Sequence, residues 1–398
     1  MTPPARLQTA IELLDAVIVA ARTGGAPADR LIAEGLRQRR YAGSKDRRAV
    51  RELVYRAIRA CGPVPPSGRA AMLRLAEDDP GIAVGFDGSA YGPAPIQADE
   101  PVAHGGIAPD WLMEALAASG VEGEEAAALL GRASLDVRVN RLKADRDTLV
   151  LPEAGEKLAA PDGLRFPFGT PVERWDAFRD GLIEVQDGGS QLACRSVAAK
   201  SGEVVIDLCA GAGGKTLALA AAMGNQGTLI AADINRARLS QLAPRAERAG
   251  ARIAETLLLD PGREAEALAP WQGRADAVLV DAPCSGTGTW RRNPESRWRI
   301  TPAELERVTA LQSRLLALAA TLTKPAGPDR PGGRIIYVVC SLLRLEGAER
   351  VDHFLGQNAG WGAVPGEPGA GRLDGPGIRL SPCHDDTDGF FFATISRL

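Results

Sequence analysis

The chain has 398 residues, of which 45% are hydrophobic and 24% charged, and a formal net charge of −3, a composition that suits a globular protein of two or three domains and argues against a wholesale polyanion binder. No run reaches the roughly 20 apolar residues that span a bilayer, and the start, Met1-Thr-Pro-Pro-Ala-Arg6, lacks the order of a secretory leader, so no membrane partner and a cytoplasmic location are expected. Six cysteines without C-x-x-C spacing and three scattered histidines argue against a disulfide framework, a metal site and a histidine-dependent triad.

Leu7, Ile11, Leu14 and Ile18 recur at three- and four-residue spacing, and Leu53, Tyr55 and Ile58 lie in a second amphipathic stretch, so residues 7–60 are predicted to be helical. Residues 30–59 carry ten Arg or Lys against three acids, which suits either a solvated helix face or a phosphate-contacting one. A break follows at Gly62-Pro63-Val64-Pro65-Pro66, and residues 80–106, ten of them Gly or Pro, predict an irregular excursion before helix resumes at 109–113 and 124–130. Strand-like 135–140 and 181–185 suggest a small intermediate module. From about residue 200, apolar runs at 204–208, 228–233, 256–259, 277–281 and 334–339 alternate with helical ones, which predicts an α/β, Rossmann-like parallel sheet covered by helices. Leu305, Val308, Leu311, Leu315, Ala319 and Leu322 form one core-facing helix stripe, the Gly/Pro-rich stretches 325–333 and 356–377 read as loops, and 390–395 as a last strand. The expected division is a helical domain over 1–132, an α+β module over 133–198 and a catalytic domain over 199–398.

The first run of the sheet enters Asp207-Leu-Cys-Ala-Gly-Ala-Gly-Gly-Lys-Thr216 and then a helix. A glycine-rich turn there lets backbone approach a ligand and aims helix N–H groups at it. A P-loop would need glycine where Cys209 stands, and a dinucleotide fingerprint starting at Gly211 would end on Thr216. S-adenosylmethionine remains, with Cys209, Ala210, Gly211, Ala212, Gly213, Gly214 and Lys215 as its loop, Asp233 placed for the ribose hydroxyls and Asp260 for the adenine edge. No metal is expected.

The fourth run ends in Asp281-Ala-Pro-Cys-Ser-Gly-Thr-Gly288 and the fifth in Tyr337-Val-Val-Cys340-Ser341. Both Cys284 and Cys340 therefore stand at the carboxyl ends of strands, where open α/β sheets bind ligands. Carbon 5 of cytosine is a poor nucleophile until a thiolate adds to carbon 6 and leaves an enamine able to attack a sulfonium methyl. That scheme needs a thiolate and an acid near N3 of the ring, roles that Cys340 and Asp281 fit.

At these residues the chain resembles the Sun/RsmB family of bacterial RNA 5-methylcytosine methyltransferases. The resemblance is carried by Gln186-Asp-Gly-Gly-Ser-Gln191, the 207–216 loop, the Asp-Ala-Pro-Cys-Ser-Gly segment, the 337–341 segment and Asp388-Gly-Phe-Phe391. It implies that Cys340 is the nucleophile, that Cys284 assists product release, that Asp281 contacts the cytosine and that Lys215 lies beside cofactor and substrate. It also implies Arg238 and Pro283 as cofactor contacts, a NusB-like fold for the N-terminal helices, and small-subunit ribosomal RNA as substrate for a monomeric enzyme. Transfer RNA as substrate, or a catalytically silent RNA-binding assembly factor, are the alternatives. Arg39, Arg40, Lys45, Arg47 and Arg48 then become RNA contacts, joined by Arg291, Arg292 and Arg297 from a segment that interleaves four arginines with Trp290 and Trp298. Val339, Ala212 and Gly347 depart from the residues usual in that family.

Overall fold

The structure is a computed structural model that describes every residue except 329, 330, 365, 367 and 368. Its contacts divide the chain into two compact units, one of residues 1–131 with 289–301 and one of 132–288 with 302–398.

The first unit is helical, built on Pro3–Thr23, Ala28–Gln38, Ser44–Ala60, Gly68–Asp78 and Asp110–Ala118. Two prolines open the first helix, where their missing N–H groups cost nothing, and Gly24 closes it at φ 71°. Leu7, Leu14 and Ile18 bury against Val50, Val54 and Ile58 of the third helix and Met72 of the fourth. Gly68 lies so close to the Ile11 carbonyl that a Cβ would have no room, which fixes the spacing of the first and fourth helices.

Residues 289–301 join this unit and supply charges to helix ends. Glu295 Oε1 accepts from the Ala28 N–H at 3.1 Å, at the start of a helix whose own N-cap, Pro27, offers no side-chain hydrogen bond. Arg297 donates to the Ile58 carbonyl in the last turn of Ser44–Ala60 and to the Cys61 carbonyl just after it, at 2.6 and 2.7 Å, and to the Pro294 carbonyl. An acid at a helix N-terminus and a base at a C-terminus both complement the macrodipole. Removing Arg297 would strand several buried carbonyls, and Arg297→Ala is expected to destabilise the chain by about 3 kcal/mol. Urea unfolding of the full chain measures this, and an unchanged midpoint would show that the guanidinium is dispensable.

The second unit begins with a four-stranded antiparallel sheet of β1 (Leu135–Val139), β2 (Glu156–Lys157), β3 (Gly163–Phe166) and β4 (Ile183–Val185), in the order β2-β3-β1-β4. Its larger sheet contains β5 (Val204–Asp207), β6 (Thr228–Asp233), β7 (Glu255–Leu258), β8 (Ala277–Asp281) and β9 (Arg334–Val339), all parallel. β10 (Trp361–Val364), β11 (Arg372–Asp374), β12 (Gly377–Leu380) and β13 (Phe390–Arg397) extend it antiparallel beyond β9.

The order β11-β12-β13-β9-β8-β5-β6-β7 means that the chain leaves β5 in one direction for β6 and β7, then returns to β8 and β9 on the other side. Ligand crevices of open α/β sheets lie at such reversals. Alternation along β9 shows why its sequence is continuously apolar. Ile335, Tyr337 and Val339 pack under Leu315, Leu316 and Ala319 of the Pro302–Leu322 helix, whereas Ile336 and Val338 face Leu192, Leu219 and Met223 of the helices Gly188–Ser196 and Gly214–Ala222.

The 356–377 stretch is not simply a loop: β10, β11 and the first residue of β12 fall within it. The edge of a sheet tolerates glycine and proline that a central strand does not. The expected loops at 325–333 and 356–377 contain the five positions that lie outside the described residues.

Candidate active site

The loop after β5 is held open in front of the Gly214–Ala222 helix by conformations that suit glycine. Gly211 and Gly213 have φ of 55° and 87°, and a Cβ on Gly211 would run into the Arg238 guanidinium. The Gly211 N–H donates to Asp233 Oδ2 at 2.7 Å, and Asp233 Oδ1 accepts from the Asn235 N–H at 2.6 Å. Asp233 thus pins this loop to the end of β6. Each of its oxygens keeps a further lone pair. Asp207 accepts from Thr216 Oγ1 at 2.6 Å. Burial pushes its carboxyl up to about 7, opposed by the Thr216 bond and reinforced by the charge of Asp281. Ala212 offers its carbonyl to Arg245 at 2.8 Å. Asp260 lies exposed beyond β7, and Arg238 and Pro283 are also exposed.

Lys215, on the first turn of that helix, donates from Nζ to Asp281 Oδ2 at 2.7 Å and lies 5.7 Å from the centre of the Phe390 ring. Burial alone would lower its ammonium, but Asp281 and the nearby thiols Cys194 and Cys340 outweigh it and hold the group above its usual range. Cys284 and Cys340 meet with their sulfurs 3.4 Å apart. The Cys284 thiol is pushed well up by its bond to Cys340, then by burial, then by the charges of Cys340 and Glu346. The four residues given catalytic roles from sequence therefore form two pairs at the ends of β5, β8 and β9.

Sequence reasoning missed the scaffold behind them. Glu346 is fully buried and accepts from the Ser285 N–H at 2.8 Å, from Ser341 Oγ at 2.5 Å, from Gln312 Nε2 at 3.1 Å and from the Ser285 hydroxyl. One signal was available: Gln312 interrupts the apolar stripe of its helix, falling between Val308 and Leu315 on the buried face. Gly347, where the sequence departs from expectation, has no space for a side chain because a Cβ would press on the Phe391 ring at 2.8 Å.

The eight residues expected to touch RNA all lie in the helical unit and fare differently. Arg40, Lys45 and Arg48 are exposed. Arg39 and Arg47 are half-buried, with Arg39 bonded to Glu12 and the Gly35 carbonyl and Arg47 to the Ala42 carbonyl. Arg292 is half-buried, whereas Arg291 and Arg297 are buried. The expectation of RNA contact is corrected for Arg297, whose guanidinium is consumed by backbone carbonyls inside the unit. Trp290 and Trp298 are buried too, so neither is available for stacking on a base. Among the described residues no group of three or more His, Cys, Asp or Glu side chains is placed to hold a metal ion, and no helix is long and apolar enough to cross a membrane.

A family model for 16S rRNA methyltransferase RsmB/F matches residues 195–396. The chain is 33% identical over 307 residues to a probable ribosomal RNA small subunit methyltransferase B of Synechocystis sp., and 32% identical over 301 residues to ribosomal RNA small subunit methyltransferase B of Xanthomonas campestris. Each match covers 73% of this chain, and the chain spans 66% of the length of those relatives. The crystal structure of a methyltransferase homolog from Pyrococcus horikoshii superposes with a TM-score of 0.59 at 25% identity, over 73% of this chain and 99% of that one. The crystal structure of PH0851 superposes with a TM-score of 0.74 at 24% identity, over 100% of both chains.

Proposed function

The chain belongs to the 16S rRNA methyltransferase RsmB/F family, and from that premise we propose that it methylates carbon 5 of a cytosine in small-subunit ribosomal RNA, using S-adenosylmethionine and a covalent bond from Cys340. The observation that carries this reading is the pair of thiols 3.4 Å apart beside the Lys215–Asp281 ion pair, at the strand ends where the sheet reverses direction.

The residues of the glycine loop fit the cofactor. A Cβ on Gly214 would meet nothing within 4 Å, so the space before the helix N-terminus is open, and Asp233 retains lone pairs for ribose hydroxyls. Cys209 to Lys215, Asp233, Arg238, Asp260, Asp281 and Pro283 would hold it, and when bound it supplies an electrophilic methyl group. Cys340 as thiolate adds to carbon 6 of the ring and so places on carbon 5 the electron pair that would take the methyl, the donor sulfur keeping the electrons of the bond it loses. Asp281, its side chain 31% exposed at the mouth of the crevice, meets N3 and the exocyclic amine, with the Lys215 ammonium fixing its orientation. Loss of the carbon 5 proton to a base then breaks the sulfur–carbon bond and restores the aromatic ring.

The helical unit, read as NusB-like, meets RNA phosphates through the exposed Arg40, Lys45 and Arg48. Incubating the chain with 16S ribosomal RNA and methyl-labelled cofactor, then digesting to nucleosides, is expected to give label in 5-methylcytidine alone. Label in another nucleoside, or only in transfer RNA supplied in parallel, would overturn the assignment.

A further inference from the structure

We propose that Glu346 is the positioning residue of the two-cysteine site, its carboxylate tying the loop after β8 to the loop after β9 and so setting the contact between Cys284 and Cys340. The inference rests on the reading that both thiols take part in methyl transfer.

Each cysteine is followed by a serine that this one carboxylate holds. Oε1 takes two N–H donors, the Ser285 amide at 2.8 Å and Gln312 Nε2 at 3.1 Å. Oε2 takes two hydroxyls, those of Ser285 and Ser341. Gln312 also donates to the Pro283 carbonyl at 2.9 Å, so Cys284 is gripped on both sides in sequence. Tyr337 donates from its hydroxyl to the Glu346 carbonyl at 2.6 Å, which anchors the glutamate to β9 itself. A carboxylate with no exposure is costly to bury, and among the described residues no cation is paired with this one. Four donors from three segments compensate it, a concentration that a packing role alone would not require.

The two oxygens face donors of different kinds, and this separates geometry from charge. In Glu346→Gln the amide oxygen can serve the two N–H groups, while the amide nitrogen takes the place of Oε2 and the two serine hydroxyls turn to accept. The tether then survives without the charge. In Glu346→Ala it is lost, and Ser341→Ala removes the limb to the Cys340 loop together with the Ser341 contacts to the Ser285 and Thr287 hydroxyls and the Leu343 N–H.

The spacing of the thiols is read without RNA by treating the full chain with diamide, whose azo group takes up two protons and two electrons as the sulfurs join. Mass spectrometry of unreduced peptides follows the Cys284–Cys340 disulfide. Wild type and Glu346→Gln are expected to form it at similar rates, and Glu346→Ala about tenfold more slowly; kcat for methyl transfer should fall about 100-fold in Glu346→Ala with KM for RNA unchanged, the signature of a displaced reacting group. Glu346→Gln is expected to restore most of that kcat. Glu346→Ala oxidising and turning over like wild type, or Glu346→Gln failing as badly as Glu346→Ala, overturns the proposal. Should Glu346→Ala not fold, Ser341→Ala decides: slower disulfide formation at unchanged KM supports the tether, and wild-type behaviour overturns it. A wild type that forms the disulfide in this pattern but leaves cytosine unmodified sinks the functional reading and not the tether.

Discussion

Cys340→Ala is expected to abolish RNA methylation, a loss on the order of 10⁴-fold or more as for other nucleophiles of covalent enzymes, while binding of S-adenosylmethionine is retained. The glycine loop that would hold the cofactor is positioned by Asp233 and Thr216, neither of which depends on the thiol. Cys284, although only 3.4 Å away, is a poor substitute. The bond to Cys340, burial and the charge of Glu346 all favour its protonated form, and a protonated thiol does not add to carbon 6. The measurement is single-turnover methyl transfer with cofactor affinity determined by calorimetry. Residual activity within tenfold of wild type would exclude the covalent scheme as assigned.

Cys284→Ala is expected to fail at the opposite end of the cycle. When the bond from Cys340 to carbon 6 breaks, negative charge develops on the departing sulfur. A protonated Cys284 in contact with it can donate to that charge, and loss of such a positioned donor costs roughly 10²-fold. Methyl transfer would proceed while release slows, and RNA-linked protein would accumulate as a slow band on a denaturing gel. Absence of that band, with turnover intact, would remove Cys284 from the release step.

The same residues show what a sequence carries about such a site. β9 was legible because a strand covered on both faces must be continuously apolar, and the stripe from Leu305 to Leu322 because a helix covering it must be apolar on one face. Cys284 and Cys340 could be placed at neighbouring strand ends once those runs were recognised. Their 3.4 Å contact was not legible, since it depends on Ser285, Ser341 and Gln312 converging on Glu346 across 61 residues of chain. Charge counting misjudged Arg297: composition records that a guanidinium is present, not that the helix ending at Ala60 leaves carbonyls for it to satisfy. The strands β10 and β11 were hidden because edge strands paired on one side need little of the hydrophobic signal that marks β5 or β9.

The central claim is a bond between the Cys340 sulfur and carbon 6 of a cytosine. RNA containing 5-fluorocytidine tests it directly, because fluorine at carbon 5 cannot leave as a proton does and the adduct is trapped after methylation. Incubation with cofactor, nuclease digestion and peptide mapping by mass spectrometry should find the modified nucleotide on the peptide containing Cys340. An adduct on Cys284 instead, or none while ordinary RNA is still methylated, would contradict it.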